Sequence, residues 1–351
     1  MTEESIYEAL REDRLQTVES IMSMLKQVGD QEKMYLDGIR EGLNTSIRER
    51  GLSSAVIYGL GGSGIVGSIA STMLNDYAPL PLISFNGASL PGWVGPQSLL
   101  ILISYSGNTI EVVNQAVKAA EKRIPACVIC SGGRLDQMSR EKGLPVVRVR
   151  TGLTPRMAVP EMLGAASSIL ERAGVVPEAS LKLRDALPIL KKINESCSPS
   201  IEAPKNPAKL AALHIYRRLP VVVCSSPLYP AALRLKNQIN ENSKMPCIVV
   251  EVPEAMHNTL EALPYTESDK YLSIRWSGED EYLAFQMDYL RHTLGDLVLE
   301  ARLEGNHIEA MLSALMWADY VSIYLAALRK VDPVPVENIT RFRRELDKLK
   351  K

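Results

Sequence analysis

The hydrophobic positions of this chain show two different patterns of spacing along the sequence. Through the first 50 residues, apolar side chains recur every three or four positions among charged ones, which predicts two amphipathic helices. Beyond residue 53 the apolar residues form short continuous runs, and helix-like stretches such as Ile65–Leu74 and Ile110–Lys122 lie between them. The runs predict five strands: Ser54–Tyr58, Leu82–Phe85, Leu99–Ile103, Ala126–Cys130 and Val146–Val149. Buried strands that alternate with helices are typical of a parallel sheet covered on both faces.

The alternation stops near residue 160 and later restarts. A helical stretch over about Glu161–Ala173 is followed by a proline-rich region with one apolar helix candidate, Leu181–Ile193. Further strands and helices are then predicted: Leu219–Cys224, Ala231–Glu241, Cys247–Val252, Tyr271–Trp276, Leu297–Leu303, His307–Leu328 and a charged helix, Glu337–Lys351. We therefore expect an α/β protein of two αβα sandwich domains, each with a mainly parallel sheet flanked by helices. The first domain, with the N-terminal helices, spans 1–173, the connection 174–208, and the second domain 209–351.

Composition and charge exclude several classes of protein. Lys and Arg number 40 against 41 Asp and Glu, so the net charge of −1 creates no overall field to attract nucleic acid or an anionic membrane. The first residues lack the basic and apolar regions of a signal peptide, and no apolar run reaches the roughly 18 residues that span a bilayer. Five cysteines are an odd and small number for a disulfide framework. We expect a cytoplasmic protein that binds neither nucleic acid nor membrane.

A glycine-rich loop, Gly59-Leu-Gly-Gly-Ser-Gly64, joins the first predicted strand to a helix. The free N–H groups of a helix start favour a phosphate there, with Ser63 as a hydroxyl donor and Gly62 allowing close approach. The loop also fits a dinucleotide fingerprint literally, but that site needs a carboxylate after the second strand, which instead ends at Phe85-Asn-Gly. A tight turn without a ligand is the third interpretation.

A second polar turn follows the third strand, where Ser104, Ser106 and Thr109 precede the helix that starts at Ile110. Hydroxyls and backbone N–H groups bind a phosphate dianion without fixed positive charge. Ligands of open parallel sheets bind at the carboxyl ends of the strands, where both loops lie. Thr109 alone is explained as a helix cap, but capping does not require three hydroxyls and a glycine. The pattern favours an anion site.

These residues carry a resemblance to a known family. The two loops resemble those of the sugar isomerase domain, which binds phosphosugars. Gly152-Leu-Thr-Pro-Arg156, Lys236-Asn-Gln-Ile-Asn-Glu-Asn-Ser-Lys244 and Pro253-Glu-Ala-Met-His-Asn258 resemble the bifunctional phosphoglucose/phosphomannose isomerases, a branch of the phosphoglucose isomerase superfamily. The likeness runs from the N-terminal helices to the C-terminal helix. It implies interconversion of glucose 6-phosphate, and of mannose 6-phosphate, with fructose 6-phosphate.

Such an isomerisation requires a base for the C2 proton, an acid–base group for ring opening and a positive charge near the enediolate. Glu241, after a helical run, is the candidate base, and Arg156 is by resemblance the stabilising cation. His257, in a loop after a strand, is implied to open the ring from the neighbouring subunit of a homodimer. Without the motifs, these three residues would be interpreted as a solvated helix-end glutamate, a salt-bridge arginine and a structural histidine.

The remaining expectations concern the ligand and its surroundings. Gly62, Ser63, Ser104, Ser106 and Thr109 are the predicted phosphate-binding residues. No cofactor is expected, and no metal, because no His, Cys and Asp residues have zinc-ligand spacing. The pair Cys127 and Cys130 lies inside a predicted buried strand, which favours inert core thiols over a redox pair.

The sequence departs from the family near the histidine and at the C-terminus. Thr259 stands where the family usually has an acidic residue, and the tryptophan common a little later is missing. In the C-terminal stretch a lysine is absent from the position where the family has its basic residue, Arg343 or Lys348 is the possible substitute for substrate contact, and Val336 stands at the threonine position. These differences weigh more against the mannose substrate than against glucose. The alternatives are a non-catalytic phosphosugar-binding regulatory module and an isomerase of another sugar phosphate; a nicotinamide-dependent dehydrogenase is weakened by the missing carboxylate.

Overall fold

The computed structural model describes residues 7–47, 51–263 and 270–348. The N-terminal part of the described chain contains the helices α1 (Glu12–Leu15), α2 (Glu19–Gly29) and α3 (Gln31–Leu43). The apolar positions that recur along α2, among them Ile21, Leu25 and Val28, are buried because they face the body of the protein. The two amphipathic helices expected in this region are therefore present as α2 and α3.

The first sheet contains five parallel strands in the order β2-β1-β3-β4-β5. Their bounds, with the helices between them, are β1 (Ser54–Gly59), α4 (Gly64–Leu74), β2 (Leu82–Phe85), β3 (Ser98–Ile103), α5 (Ile110–Glu121), β4 (Ala126–Cys130), α6 (Gly133–Glu141) and β5 (Val146–Arg148). Strands β1, β3 and β4 are buried along their whole length, as the continuous apolar runs predicted.

Three helices follow the first sheet: α7 (Val159–Arg172), α8 (Ala179–Ala186) and α9 (Ile189–Cys197). The single helix predicted over Leu181–Ile193 is wrong, because the chain forms two helices there. Pro188 lies between them, and a proline lacks the amide hydrogen that would continue the hydrogen-bond ladder.

The second sheet contains four parallel strands in the order β7-β6-β8-β9. The elements of this half are α10 (Pro207–Ile215), β6 (Pro220–Ser225), α11 (Tyr229–Asn242), β7 (Ile248–Val252), α12 (Thr259–Ala262), β8 (Lys270–Trp276), α13 (Glu281–Leu294), β9 (Val298–Leu303), α14 (His307–Arg329) and α15 (Glu337–Lys348). Two mainly parallel sheets flanked by helices confirm the predicted α/β fold class.

Helices α3 and α7 pack with their backbones in direct contact. A Cβ added to Gly38 would lie 1.9 Å from the carbonyl oxygen of Glu161, and one added to Gly164 would lie 2.4 Å from that of Tyr35. Only glycine permits this approach. The contact attaches the N-terminal helices to the helix that follows the first sheet.

Helix α14 crosses the interior and is buried on all sides. By length and composition alone it qualifies as a membrane span, but 94% of its most apolar window is buried inside the fold. It packs against α10 and α11, and its side chains join the hydrophobic cluster that runs through both halves. An apolar surface all round is expected of a core helix. Asp319, in the middle of α14, is fully buried.

Candidate active site

The glycine loop and the hydroxyl-rich turn lie side by side at the carboxyl edge of the first sheet. Strands β1 and β3, which lead into them, are paired up to Gly59 and Ile103. The Oγ of Ser63 accepts a hydrogen bond of 3.1 Å from the backbone N–H of Tyr105. The loops are therefore held together by a direct contact, as the argument from strand ends predicted.

Hydrogen bonds within the turn bring its hydroxyls together. Ser104 Oγ donates to Thr109 Oγ1 over 2.9 Å, and Ser106 Oγ accepts from the N–H of Asn108 over 3.3 Å. Thr109 occupies the N-cap position of α5, but its side chain makes no capping hydrogen bond. Gly107 has a positive φ of 65°, and a Cβ there would lie 1.7 Å from the carbonyl oxygen of Gly132. The turn thus requires its glycine, and capping does not explain its threonine.

Arg156 lies directly against the glycine loop. A Cβ added to Gly62 would meet the backbone nitrogen of Arg156 at 3.1 Å. Arg156 is 3% exposed, and four groups hold its guanidinium. Nε donates to Asn242 Oδ1 (2.6 Å), Nη1 to Glu241 Oε2 (3.2 Å), and Nη2 to the carbonyls of Pro333 (2.6 Å) and Val334 (3.1 Å). Burial lowers the pKa of Arg156, while the carboxylate of Glu241 opposes that shift.

Glu241 is in the last turn of α11, and its side chain is 26% exposed. It pairs with Arg156 although the two residues are 85 positions apart in the chain. A narrow cleft beside the pair is lined by Gly62, Ile65, Arg156, Arg234, Asn237, Gln238 and Glu241. The structure therefore brings the predicted base, the predicted cation and part of the predicted phosphate loop to one place.

Lys244 is a basic residue of this region that the sequence argument did not single out as a site residue. Its Nζ donates to the carbonyls of Glu241 and Pro335. Burial lowers the pKa of Lys244, and the positive charge of Arg156 adds to that effect. Arg343, the predicted C-terminal contact, is exposed on α15, and no hydrogen bond joins it to another residue within the described part of the chain. Lys244 is thus a second basic group beside Glu241, in addition to Arg156, and the contact of Arg343 with substrate stays a prediction.

His257 lies apart from the arginine–glutamate pair. It ends a 3-10 turn, Glu254–His257, that follows β7, and it is exposed. Over residues 7–47, 51–263 and 270–348, nothing hydrogen-bonds or forms an ion pair with its imidazole. Its neighbour Thr259, at the position of the expected acidic residue, hydrogen-bonds to Asn258. Among the described residues, no hydrogen bond joins His257 to Glu241, and His257 does not line the cleft beside Glu241.

A buried polar network behind the pair was missed by the sequence argument. Asp319 on α14 accepts hydrogen bonds from Gln31, Arg234 and Gln238. Two of these donors precede Glu241 on α11, and Asn242 follows it. The signal available in the sequence was the carboxylate itself, because a lone Asp in a 23-residue apolar helix has to find buried partners.

Neither a metal cluster nor a reactive thiol pair emerges from the described residues. No three His, Cys, Asp or Glu side chains among them are grouped to hold a metal ion. Cys127 and Cys130 are free and buried, and burial raises their thiol pKa values to about 12 and about 11. Both thiols therefore stay protonated near neutral pH, which agrees with the prediction of inert core cysteines.

Two family models match the chain. Residues 50–144 match the SIS domain, and residues 204–346 match the bacterial phospho-glucose isomerase C-terminal SIS domain. Among solved structures, the C-terminal domain of glucosamine-fructose-6-phosphate aminotransferase from Francisella tularensis superposes with a TM-score of 0.68 at 15% identity, covering 88% of this chain and 97% of that one. A glucose-6-phosphate isomerase from Chlamydia trachomatis gives 0.64 at 13%, covering 94% and 72%. At such identities the superpositions establish the fold alone.

Curated relatives extend the likeness to nearly the whole chain. A bifunctional phosphoglucose/phosphomannose isomerase of Aquifex aeolicus is 33% identical over 84% of this chain and 90% of its own length. One of Caldicellulosiruptor bescii is 27% identical over 95% and 99%. A D-glucosamine-6-phosphate 4-epimerase of Sulfolobus acidocaldarius is 27% identical over 62% and 66%. The chain therefore belongs to the family of bifunctional phosphoglucose/phosphomannose isomerases.

Proposed function

We propose that this protein interconverts glucose 6-phosphate and mannose 6-phosphate with fructose 6-phosphate. The observation that carries the proposal is the contact between Arg156 Nη1 and Glu241 Oε2, 3.2 Å long, beside the glycine loop. A partly exposed carboxylate next to a buried guanidinium is what proton transfer through an anionic intermediate requires. Family membership supports the same reaction.

The phosphate is held by the two loops of the first sheet. Ser63, Ser104, Ser106 and Thr109 supply hydroxyls, and the N-terminus of α4 supplies backbone donors. No fixed cation is needed at this end of the substrate, because hydroxyl and amide hydrogens together satisfy the phosphate oxygens. The sugar then extends from the phosphate toward Arg156 and Glu241.

The chemical step moves one proton between two carbons. The Glu241 carboxylate takes the C2 proton of the open-chain aldose, the C–H electrons form the C1=C2 bond, and O1 takes up a proton. The resulting cis-enediol returns to a carbonyl when C1 receives the proton from Glu241 and O2 loses its own. Arg156 stabilises the negative charge that develops on the oxygens. C2 is planar in the enediol, so proton return to either face yields glucose or mannose.

Ring opening is assigned to His257 of a second subunit. Imidazole transfers a proton from the C1 hydroxyl to the ring oxygen near neutral pH. The exposed position of His257, outside contact with Glu241 in its own chain, supports a homodimer in which each site is completed by the other copy. Mixing Glu241→Gln with His257→Asn protein tests this. Random exchange of subunits leaves one intact site in each hybrid dimer, about a quarter of all sites. Recovery to that level is expected, and no recovery in exchanged dimers would contradict the assignment.

The first experiment on the function is production of fructose 6-phosphate by the purified, chelator-treated protein. Glucose 6-phosphate and mannose 6-phosphate are supplied in parallel, and glucosamine 6-phosphate is added because one relative is named as an epimerase of that sugar. Turnover of both hexose phosphates is expected. Folded protein that converts neither of them would overturn the proposal. Phosphosugar binding without turnover would then favour a regulatory module.

A further inference from the structure

Asp319 is the centre of a hydrogen-bond network buried beneath the candidate active site. It lies in the middle of α14 and has no exposed surface. Arg234 Nη2 donates to its carboxylate over 2.8 Å, Gln31 Nε2 over 2.6 Å, and Gln238 Nε2 donates as well. A carboxylate this deep needs both a counter-ion and hydrogen bonds, and here it has both.

Two branches of this network end on Arg156. In the first, Arg234 Nη2 donates to the backbone carbonyl of Arg156 over 3.0 Å. In the second, Gln238 Oε1 accepts from Asn242 Nδ2 (3.0 Å), and Asn242 Oδ1 accepts from Arg156 Nε (2.6 Å). The backbone and the guanidinium of Arg156 are therefore both tied to one carboxylate.

The charged groups around the cleft form two ion pairs. Arg156 and Arg234 are both buried, and Glu241 and Asp319 are their partners in ion pairs. Arg234 also lines the cleft, and its Nε, buried, has no acceptor among the described residues. Without a negative charge at Asp319, Arg234 would be an uncompensated buried cation in the same cleft as Glu241. Glu241 would then be drawn from Arg156 toward Arg234.

We propose that Asp319 is a positioning residue for the isomerisation: it orients Arg156 through Arg234, Gln238 and Asn242, and it neutralises Arg234 so that Glu241 stays with Arg156. This inference rests on the proposed function. Asp319 touches no substrate atom. Its effect is expected at the reacting end of the sugar more than at the phosphate, because the hydrogen bonds of Ser63, Ser104, Ser106 and Thr109 run within the two loops and not to the network.

The test compares two probes that differ at the reacting end. One is a five-carbon sugar-phosphate hydroxamate, planar and anionic like the enediolate; the other is sorbitol 6-phosphate, which has the phosphate but no planar group. In Asp319→Asn we expect the hydroxamate Kd to rise at least about tenfold and kcat to fall by a similar factor, since small misplacement of a catalytic group is costly. The Kd of sorbitol 6-phosphate should change less than about twofold, because its phosphate contacts are intact.

Two further variants cover the case in which Asp319→Asn does not fold. Asp319→Asn combined with Arg234→Gln leaves neither charge buried alone, and replacing both partners is far milder than removing one. We expect this double variant to fold and to bind the hydroxamate more tightly than the single variant. Gln238→Leu removes the branch through Asn242, together with one hydrogen bond to Asp319, but leaves Arg234 paired with Asp319. It should weaken hydroxamate binding without affecting sorbitol 6-phosphate. If neither variant shows its expected effect, the inference fails.

The matched control is Glu279→Gln. Glu279 is also a buried carboxylate paired with a buried arginine, Arg275, over 2.8 Å. Its removal should lower stability but leave both Kd values and kcat unchanged. A folded Asp319→Asn protein with wild-type hydroxamate affinity and kcat overturns the inference, and so does equal weakening of both probes. A wild-type protein that does not prefer the hydroxamate over sorbitol 6-phosphate contradicts the proposed function instead.

Discussion

The two sheets are built alike but carry different functional groups. The first sheet presents a glycine loop and a hydroxyl-rich turn before α4 and α5. At the corresponding end of β6 in the second sheet, prolines at positions 227 and 230 flank the start of α11. Proline has no N–H, so that helix start offers fewer donors for an anion. The second half contributes the opposite end of α11, where Glu241 meets Arg156. In the proposed function, equivalent layers thus supply the phosphate loops and Arg156 from the first half and the base Glu241 from the second.

The largest expected effect is on the chemical half of this comparison. Glu241→Gln keeps the shape of the side chain but removes the base, so we expect kcat to fall by about 10²–10⁴-fold with little change in KM. The control is Glu141→Gln, because Glu141 also ends a helix, α6 in the first half, and is exposed. Steady-state kinetics on both variants measures the difference. Near-normal turnover of Glu241→Gln would remove Glu241 from its assigned role.

Stability provides the second prediction, because only the first half has the close contact of α3 with α7. Gly38→Ala places a methyl group 1.9 Å from a backbone carbonyl, so one helix must move. We expect a loss of roughly 2–4 kcal/mol in the free energy of unfolding, by analogy with overpacked cores. Gly92→Ala is the control, since nothing lies within 4 Å of its added Cβ. Urea denaturation measures the free energy of unfolding of the two variants. Equal midpoints would contradict the prediction and show that α3 and α7 move apart at little cost.

The third prediction concerns the phosphate. Ser106→Ala removes a hydroxyl from the first-half turn, and we expect KM to rise about tenfold with kcat nearly unchanged, since a hydrogen bond to a charged group contributes about 1.5–3 kcal/mol. Ser226→Ala removes a hydroxyl after β6 in the second half and should leave KM as it is. Kinetics with varied glucose 6-phosphate makes the comparison. A rise in KM for Ser226→Ala would mean that the second edge also binds the substrate.

The smallest effect is expected for the cysteines, because they are buried in both halves of the molecule. Burial raises the thiol pKa to about 12 for Cys127 in the first half and to about 12 for Cys247 in the second. The raised value means that the protonated form persists at pH 8. We expect a disulfide reagent to modify none of the five cysteines rapidly in native protein and all five after unfolding. A cysteine that reacts rapidly in the native protein would contradict this prediction and would show that the half containing it unfolds locally.

Local patterns in the sequence predicted most of the secondary structure. The predicted bounds of β2 and β4 agree with the structure, and the other strands differ by one residue at one end or, for β6, at both ends. Apolar runs between turn residues identify such strands because every side chain of a central strand is buried. Helices α6, α10, α12 and α13 were not predicted. Each is short or carries many polar residues, so its periodicity is weak.

The chemistry was predicted only where a residue stood in a recognisable motif. Glu241 and Arg156 were proposed from their motifs, and the structure places them in contact. Lys244 lies in the same motif as Glu241, yet its role beside Pro335 depends on how the last loop returns to α11. Asp319 does not belong to any recognisable motif, so its neighbours in the sequence did not indicate that it lies beside the candidate site.

The sequence by itself determined the strand and helix pattern, the two polar loops and the family, because these depend on residues that are neighbours along the chain. Tertiary structure alone decided which side chains meet: Arg156 with Glu241, 85 residues apart, and Gln31 with Asp319, 288 apart. Periodicity shows which face of an element is buried but not which element covers it. The pairing of distant polar groups is set by the packing of α3, α11 and α14, since each buried charge must find its partner there.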